Sequence, residues 1–246
     1  MDERAEPPFT PYDERCAEVY DAWFTAHEAA AIEVLAELAQ GGPALELGIG
    51  TGLVALPLAA RGVAVHGVDN SEAMVAKLRA KPGGAAIPVT LGNFADVPVP
   101  GEFPLVFVVF NTFFALLDQK EQVRCFRNVA AHLAPGGVFV LEAFVPDLAS
   151  FTGGQNVKAL TVTGDRVGLK VSRHDPVAQR LMSQHVVFKD GEVRLYPVEV
   201  RYVWPAEMDL MAELAGLRLR HRWSSWERGA FRATSERQIA VYERQR

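Results

Sequence analysis

"ALELGIGTGLVALPLAARGVAVHGVDNS", residues 44–71, decides how this chain folds. An apolar run over 44–48 bends through Gly48, Gly50 and Gly52. A helical stretch over 53–61 follows, and a valine-rich run over 63–68 ends on Asp69 and Asn70. Strand, glycine turn, helix and strand in this order form a βαβ unit. Glycines let a ligand approach the backbone, and a carboxylate closing the next strand can accept both hydroxyls of a ribose. Two familiar designs fail here. A dinucleotide turn, G-x-G-x-x-G, needs its third glycine where Leu53 stands, and no Gly-Lys-Ser/Thr follows to cradle a triphosphate. What remains is Glu46-Leu47-Gly48-Ile49-Gly50-Thr51-Gly52, or E-x-G-x-G-x-G.

Upstream, residues 12–39 read as helix in two pieces, with Val19, Trp23, Ile32, Leu35 and Leu38 as the apolar stripe. Gly41-Gly42-Pro43 stops it. Downstream, a helix over 71–81 opens at Ser71-Glu72, and apolar runs at 87–91, 104–110 and 138–144 alternate with an amphipathic helix over 119–134. Continuous apolar strands separated by helices indicate a parallel sheet covered on both faces. The pattern changes after residue 150. Residues 157–171, 181–189 and 192–203 read as three antiparallel strands, with a hairpin turn at Lys189-Asp190-Gly191-Glu192. Pro205 opens a helix closed by Gly216, and strand-like runs at 217–223 and 237–243 complete the chain. The expected fold is α/β: a doubly wound, mostly parallel, seven-stranded Rossmann-like sheet with an antiparallel insertion over the active site. The whole of 1–246 is expected to be one domain, with a helical cap over 1–40 and a lid over 150–203.

The chain has 246 residues, 49% hydrophobic and 22% charged, with a net charge of −5. That length buries a full core, and the acidic balance argues against a general affinity for nucleic acid. Arg218, Arg220, Arg222, Arg228 and Arg232 are interrupted by acids and aromatics and read as a solvated face. Cys16 and Cys125 lie too far apart for a disulfide framework or zinc site, and no metal is expected. The charged, proline-rich start is unlike a signal peptide, and no apolar run is long enough for a membrane span. A cytoplasmic monomer or homodimer without membrane or nucleic-acid partners is expected.

Four further elements fall at strand ends, where open α/β sheets bind ligands. They are Asp69, "LGNF" (91–94), "VFNTFF" (109–114) and "LAPGGVFVLEAF" (133–144). Together with the glycine turn they resemble the class I S-adenosylmethionine-dependent methyltransferases over roughly residues 12–243. The resemblance is closest to the bacterial small-molecule branch that includes amino-sugar N-methyltransferases. It implies S-adenosylmethionine as cofactor and a small-molecule acceptor. Glu46, Gly48, Gly50, Thr51 and Gly52 would hold the methionine part, and Asp69 with Asn70 the ribose. Asn93 and Phe94 would flank the adenine, Phe110 would approach the sulfonium, and Tyr20 would cover the cofactor. The family often has aspartate where Asn93 stands; an amide carbonyl can still accept from the adenine amine.

Methyl transfer from a sulfonium is an in-line displacement, so the protein must align nucleophile, methyl and sulfur and exclude water. A base helps phenols and alcohols more than amines. Of the six histidines, His66 and His132 read as structural and His221 as surface. His27 and His185 are secondary candidates. His174 is the catalytic candidate, as a base or substrate ligand beside Asp175, although adjacent strand residues point to opposite faces. Substrate contacts are expected from Trp23, Asn111, Phe113, Phe114, Arg173, Arg201 and Tyr202, whose aromatic character suits a partly apolar acceptor methylated on O or N. Alternatives are an RNA or protein methyltransferase, a dehydrogenase, which Leu53 disfavours, and a non-catalytic S-adenosylmethionine-binding protein.

Overall fold

The computed structural model describes residues 12–24 and 28–245, so the candidate His27 lies outside the described residues. In chain order the first elements are α1 (Glu14–Trp23), α2 (Ala29–Leu38), β1 (Ala44–Leu47), α3 (Ala55–Ala60), β2 (Val65–Asp69) and α4 (Glu72–Arg79). Then come β3 (Val89–Leu91), β4 (Phe103–Val108), α5 (Gln119–His132) and β5 (Leu133–Phe144). The insertion holds β6 (Gln155–Val162), β7 (Arg166–Asp175), β8 (Arg180–Lys189) and β9 (Glu192–Arg201). The chain ends in α6 (Pro205–Leu214), β10 (Leu217–Trp223) and β11 (Arg237–Arg244).

Seven strands form one sheet in the order β10-β11-β5-β4-β1-β2-β3. β1 to β5 pair in parallel, and β11 runs antiparallel between β5 and β10. Strand order reverses between β1 and β4, which opens a crevice at their carboxyl ends. Alternation along each strand divides the core in two. Leu45, Leu47, Val106, Val108, Phe139 and Leu141 pack toward Phe126 of α5 and Met208 of α6. Leu105, Phe107, Val138 and Val140 pack toward Leu35 of α2 and Leu58 of α3. Burial on both faces is why these strands read as unbroken apolar runs. Local signals set the helix starts: Ser71 accepts from the Met74 N–H, and Asp118 from Lys120, each capping a first turn.

β6 to β9 form a separate antiparallel sheet between β5 and α6, as expected in kind but with four strands instead of three. The run 157–171 breaks at Thr163-Gly164-Asp165. Thr163 Oγ1 donates to Asp165 Oδ1 at 2.7 Å and accepts from Arg166 N–H at 3.1 Å, closing a turn between β6 and β7. The C-terminal arginines are engaged in ion pairs: Arg218 with Glu243, Arg222 with Asp209 and Arg228 with Glu37, each at 2.6 Å. Among the described residues, no helix is long and apolar enough to cross a membrane.

Candidate active site

The glycine turn follows β1 directly, with Gly48, Gly50 and Gly52 all at positive φ (74°, 53° and 78°). Asp69, at the end of the neighbouring strand, folds back onto this turn. Its Oδ2 accepts from Gly50 N–H at 2.7 Å and its Oδ1 from Ser71 N–H at 2.8 Å. Burial pushes its carboxyl up, against the pull of these backbone donors. Glu46 lies within β1 at 3% exposure. Its carboxylate accepts from the Ala55 N–H at the start of α3, yet Oε2 has no partner. Burial first, and then the nearby Asp69 charge, hold the Glu46 carboxyl well above the usual carboxylate range. Two enclosed acids therefore flank the backbone turn, and among the described residues no cation pairs with either.

A cleft of about 1000 Å³ opens over this turn, and its lining includes Tyr12, Tyr20, Gly48, Gly50, Asp69, Asn70, Asn93, Phe94, Thr112 and Leu116. A small adjoining cavity reaches inward to Glu46, Thr51 and Phe110, sharing Tyr20, Gly48, Gly50 and Thr112 with the cleft. α1 is fastened over the turn: Asp21 accepts from Thr51 Oγ1 at 2.5 Å and pairs with Lys81 at 2.7 Å, and Lys81 also donates to the Thr51 carbonyl. This brings Tyr20 against the cleft, with Tyr12 edge-on to it at 6.2 Å. Burial, followed by the charges of Cys16 and Asp69, pushes the Tyr12 hydroxyl up to about 12, so it is a neutral donor at physiological pH.

Phe110 and Asn111, just past β4, both have positive φ (56° and 65°). Left-handed backbone at a bulky side chain costs about 1–3 kcal/mol and persists only where neighbours fix it. Here Phe110 N–H donates to Glu142 Oε2 at 3.2 Å and Asn111 Oδ1 accepts from Phe144 N–H at 2.7 Å, both on β5. The turn that carries Thr112 to the cleft is thus held by the adjacent strand.

Several expected positions are corrected. Gly52 lines neither cavity: a Cβ there would collide with Leu78 Cδ1, so this glycine serves the packing of α3 on α4. Asn93 does line the cleft; its carbonyl accepts from Ala95 N–H at 2.9 Å and its Nδ2 donates to Glu121 at 3.2 Å. Phe113 and Phe114 are fully buried, edge-on to Phe126 and Phe144, and are core rather than acceptor contacts. Asn111 spends its side-chain oxygen on the β5 backbone. Arg201, 6% exposed, is bound to Gln122, Gln179 and Glu207. Arg173 and His174 line a second cavity of about 500 Å³ under the antiparallel sheet, not the main cleft. His174 Nε2 bonds the buried Tyr202 hydroxyl at 2.9 Å, and Asp175 caps the following turn instead of the imidazole. Trp23 packs on Tyr196 and His185 of the antiparallel sheet. His66 bonds Thr90, and His132 bridges the carbonyls of Asn128 and Val99.

Some lining residues carried no sequence signal. Glu199 borders both the main and the second cavity, and Glu121 reaches the cleft from α5. Their inward direction depends on the register of a separate sheet and on helix rotation, which no local motif encodes. Tyr12 does carry a trace, as an aromatic just before the Asp13 cap of α1.

Residues 44–137 match the family model described as a methyltransferase domain. The solved structure of the CcbJ methyltransferase from Streptomyces caelestis is 40% identical, covers 98% of this chain and 100% of that one, and superposes with a TM-score of 0.89. The cypemycin N-terminal methyltransferase of a Streptomyces species is 28% identical over 248 residues, 95% of this chain and 98% of its own. The amino pentose methyltransferase CalS10 from Micromonospora echinaspora, solved with S-adenosylmethionine bound, shares the fold at 23% identity and a TM-score of 0.69 over 92% of this chain and 97% of that one.

Proposed function

This chain belongs to the S-adenosylmethionine-dependent methyltransferases, and from that premise we propose that it methylates a nitrogen or oxygen of a small, partly aromatic or apolar molecule in specialised metabolism. The pair of buried acids beside the glycine turn carries the reading. An unpartnered carboxylate oxygen on Glu46 calls for a cationic or hydrogen-bond-donating group, and the methionine part of the cofactor supplies an ammonium. Asp69, which lines the cleft, would accept the ribose hydroxyls. On this reading Asn70 would assist Asp69, Asn93 and Phe94 would flank the adenine, Tyr20 would cover the cofactor, Thr51 would shape the turn and Phe110 would approach the sulfonium.

When bound, the cofactor supplies a methyl group already activated on sulfur. The chain's own part is to orient an acceptor and keep water out. The carboxylates fix one reactant, the strained Phe110–Asn111 turn gives a rigid floor, and the antiparallel sheet narrows the approach. An amine acceptor needs no base once it is neutral. No described histidine lines the main cleft, and the N-terminal methylation in the name of the cypemycin relative supports nitrogen over oxygen. We read 1–246 as one catalytic domain, with cap 1–40 and lid 150–203, acting in the cytoplasm as a monomer or homodimer. The net charge of −5 supports a small acceptor over nucleic acid.

Calorimetry with S-adenosylhomocysteine tests the site. Asp69→Ala is expected to weaken binding by roughly 1–3 kcal/mol while the circular dichroism spectrum is retained. Full affinity in that folded variant would remove Asp69 from the ribose. Methyl transfer from labelled cofactor to a panel of amines and phenols tests the acceptor atom; transfer to phenols alone would overturn nitrogen.

A further inference from the structure

Strand register places two cations, Arg166 and Lys170, on one face of the antiparallel sheet, with the His185 imidazole beside them. Lys170 of β7 stands opposite His185 of β8, which stands opposite Tyr196 of β9. Directly paired residues share a face, and so does Arg166, four residues before Lys170. This is the covered face. Tyr196 is 6% exposed, and the Trp23 ring lies 4.4 Å from Tyr196 and 5.9 Å from His185. The opposite face leaves Leu195 49% and Val193 57% exposed. A cavity of about 390 Å³ opens between the end of α1 and this face, with Trp23, Phe24, Arg166 and His185 in its lining.

Among the described residues, Arg166 and Lys170 have no ion-pair partner. Arg166 Nε is buried without a hydrogen-bond partner. Lys170 is half-buried and, among the described residues, makes no hydrogen bond or ion pair. The carboxylate that the register puts on this face, Glu192, lies at the far hairpin and is taken by Arg194 at 2.9 Å. Burial, then the charge of Lys158, pulls the Lys170 ammonium down; burial, then Lys170, does the same to His185. Half-buried cations beside an aromatic wall, with one guanidinium nitrogen unpaired, form a receptor for an anion.

We propose that this cavity is an anion-binding site: Arg166, in its lining, takes a carboxylate or phosphate, Lys170, which lies outside the lining but is paired with His185 of the next strand, adds positive charge, and Trp23 packs on the apolar or aromatic body that carries the anion.

The test is calorimetry on the full chain saturated with S-adenosylhomocysteine, titrated with phenylacetate, phenyl phosphate and neutral benzyl alcohol. At least one anion is expected to bind about tenfold more tightly than benzyl alcohol, and more weakly as salt rises. The tighter anion identifies the group. Arg166→Met should lower anion affinity about tenfold and Lys170→Met less, with Lys170→Arg restoring it, S-adenosylhomocysteine affinity unchanged and the melting temperature not lowered. Equal binding of benzyl alcohol, or Met variants that bind the anions as well as the parent chain, would overturn the site. Failure of the parent chain to bind S-adenosylhomocysteine would strike the cofactor site instead, and anion binding, read in its own titration, would still be decided.

Discussion

At the scale of single residues, Glu46 opposes folding for the sake of the ligand. Its carboxyl is raised by burial and by Asp69, so the stability it contributes is present at low pH. That stability is lost as pH rises from the ordinary carboxylate value of about 4.3 through the raised one. Glu46→Gln removes the charge and keeps an acceptor for Ala55 N–H. The variant is therefore expected to melt at a higher temperature than the parent at pH 8, by roughly 1–3 kcal/mol in unfolding free energy, with the gap closing toward pH 4. S-adenosylhomocysteine should bind it more weakly. A gap that widens on acidification would mean the carboxyl is not raised. Glu46 and Asp69 were legible in the sequence because strand ends fix where their side chains go. Phe113 and Phe114 were not, because an aromatic after β4 reads the same whether it faces a cleft or the core.

Elements impose a different limit, seen in the glycine turn. Gly50 and Gly52 share left-handed backbone but not surroundings. A Cβ on Gly50 would meet only Met74 Cε, at 3.5 Å, whereas one on Gly52 would run into Leu78 and Leu56. Gly52→Ala should therefore cost about 2–4 kcal/mol of stability in urea unfolding, from left-handed strain plus overpacking. Gly50→Ala should cost about 1–2 kcal/mol in the same measurement but weaken S-adenosylhomocysteine binding more, because its methyl enters the cleft. The reverse ranking would exchange their roles. The spacing E-x-G-x-G-x-G marks the turn without telling which glycine faces the ligand. Similarly, the apolar run 157–171 hid a turn at Thr163-Gly164-Asp165, because valine and leucine on both sides masked the break. Parallel strands, sealed on both faces, kept an unmistakable signature.

For the molecule as a whole, what matters is how the antiparallel sheet is fastened to the α/β core. Arg201, at the end of β9, donates to Gln122 of α5 at 2.5 Å, to Gln179 at 2.9 Å and to Glu207 of α6 at 2.8 Å. Burial pushes the Glu207 carboxyl up, but hydrogen bonds from Gln179, Arg201 and Gln119 outweigh it and hold the group below the usual range. Arg201→Met leaves these partners unmatched and should destabilise the chain by about 3 kcal/mol, measured as a fall in the thermal midpoint. S-adenosylhomocysteine binding should survive below that midpoint, since Arg201 lies outside the main cleft; a loss of less than 1 kcal/mol, in contrast, would place the fastening elsewhere. No periodicity in the sequence points to this junction, which forms only when β9, α5 and α6 converge. A crystal structure with S-adenosylhomocysteine would show whether Glu46 of β1 and Asp69 of β2 hold the cofactor. The ribose hydroxyls are expected on Asp69, the homocysteine amine toward Glu46 and the adenine beside Phe94; a nucleoside seated away from the glycine turn, with Glu46 and Asp69 untouched, would contradict that assignment.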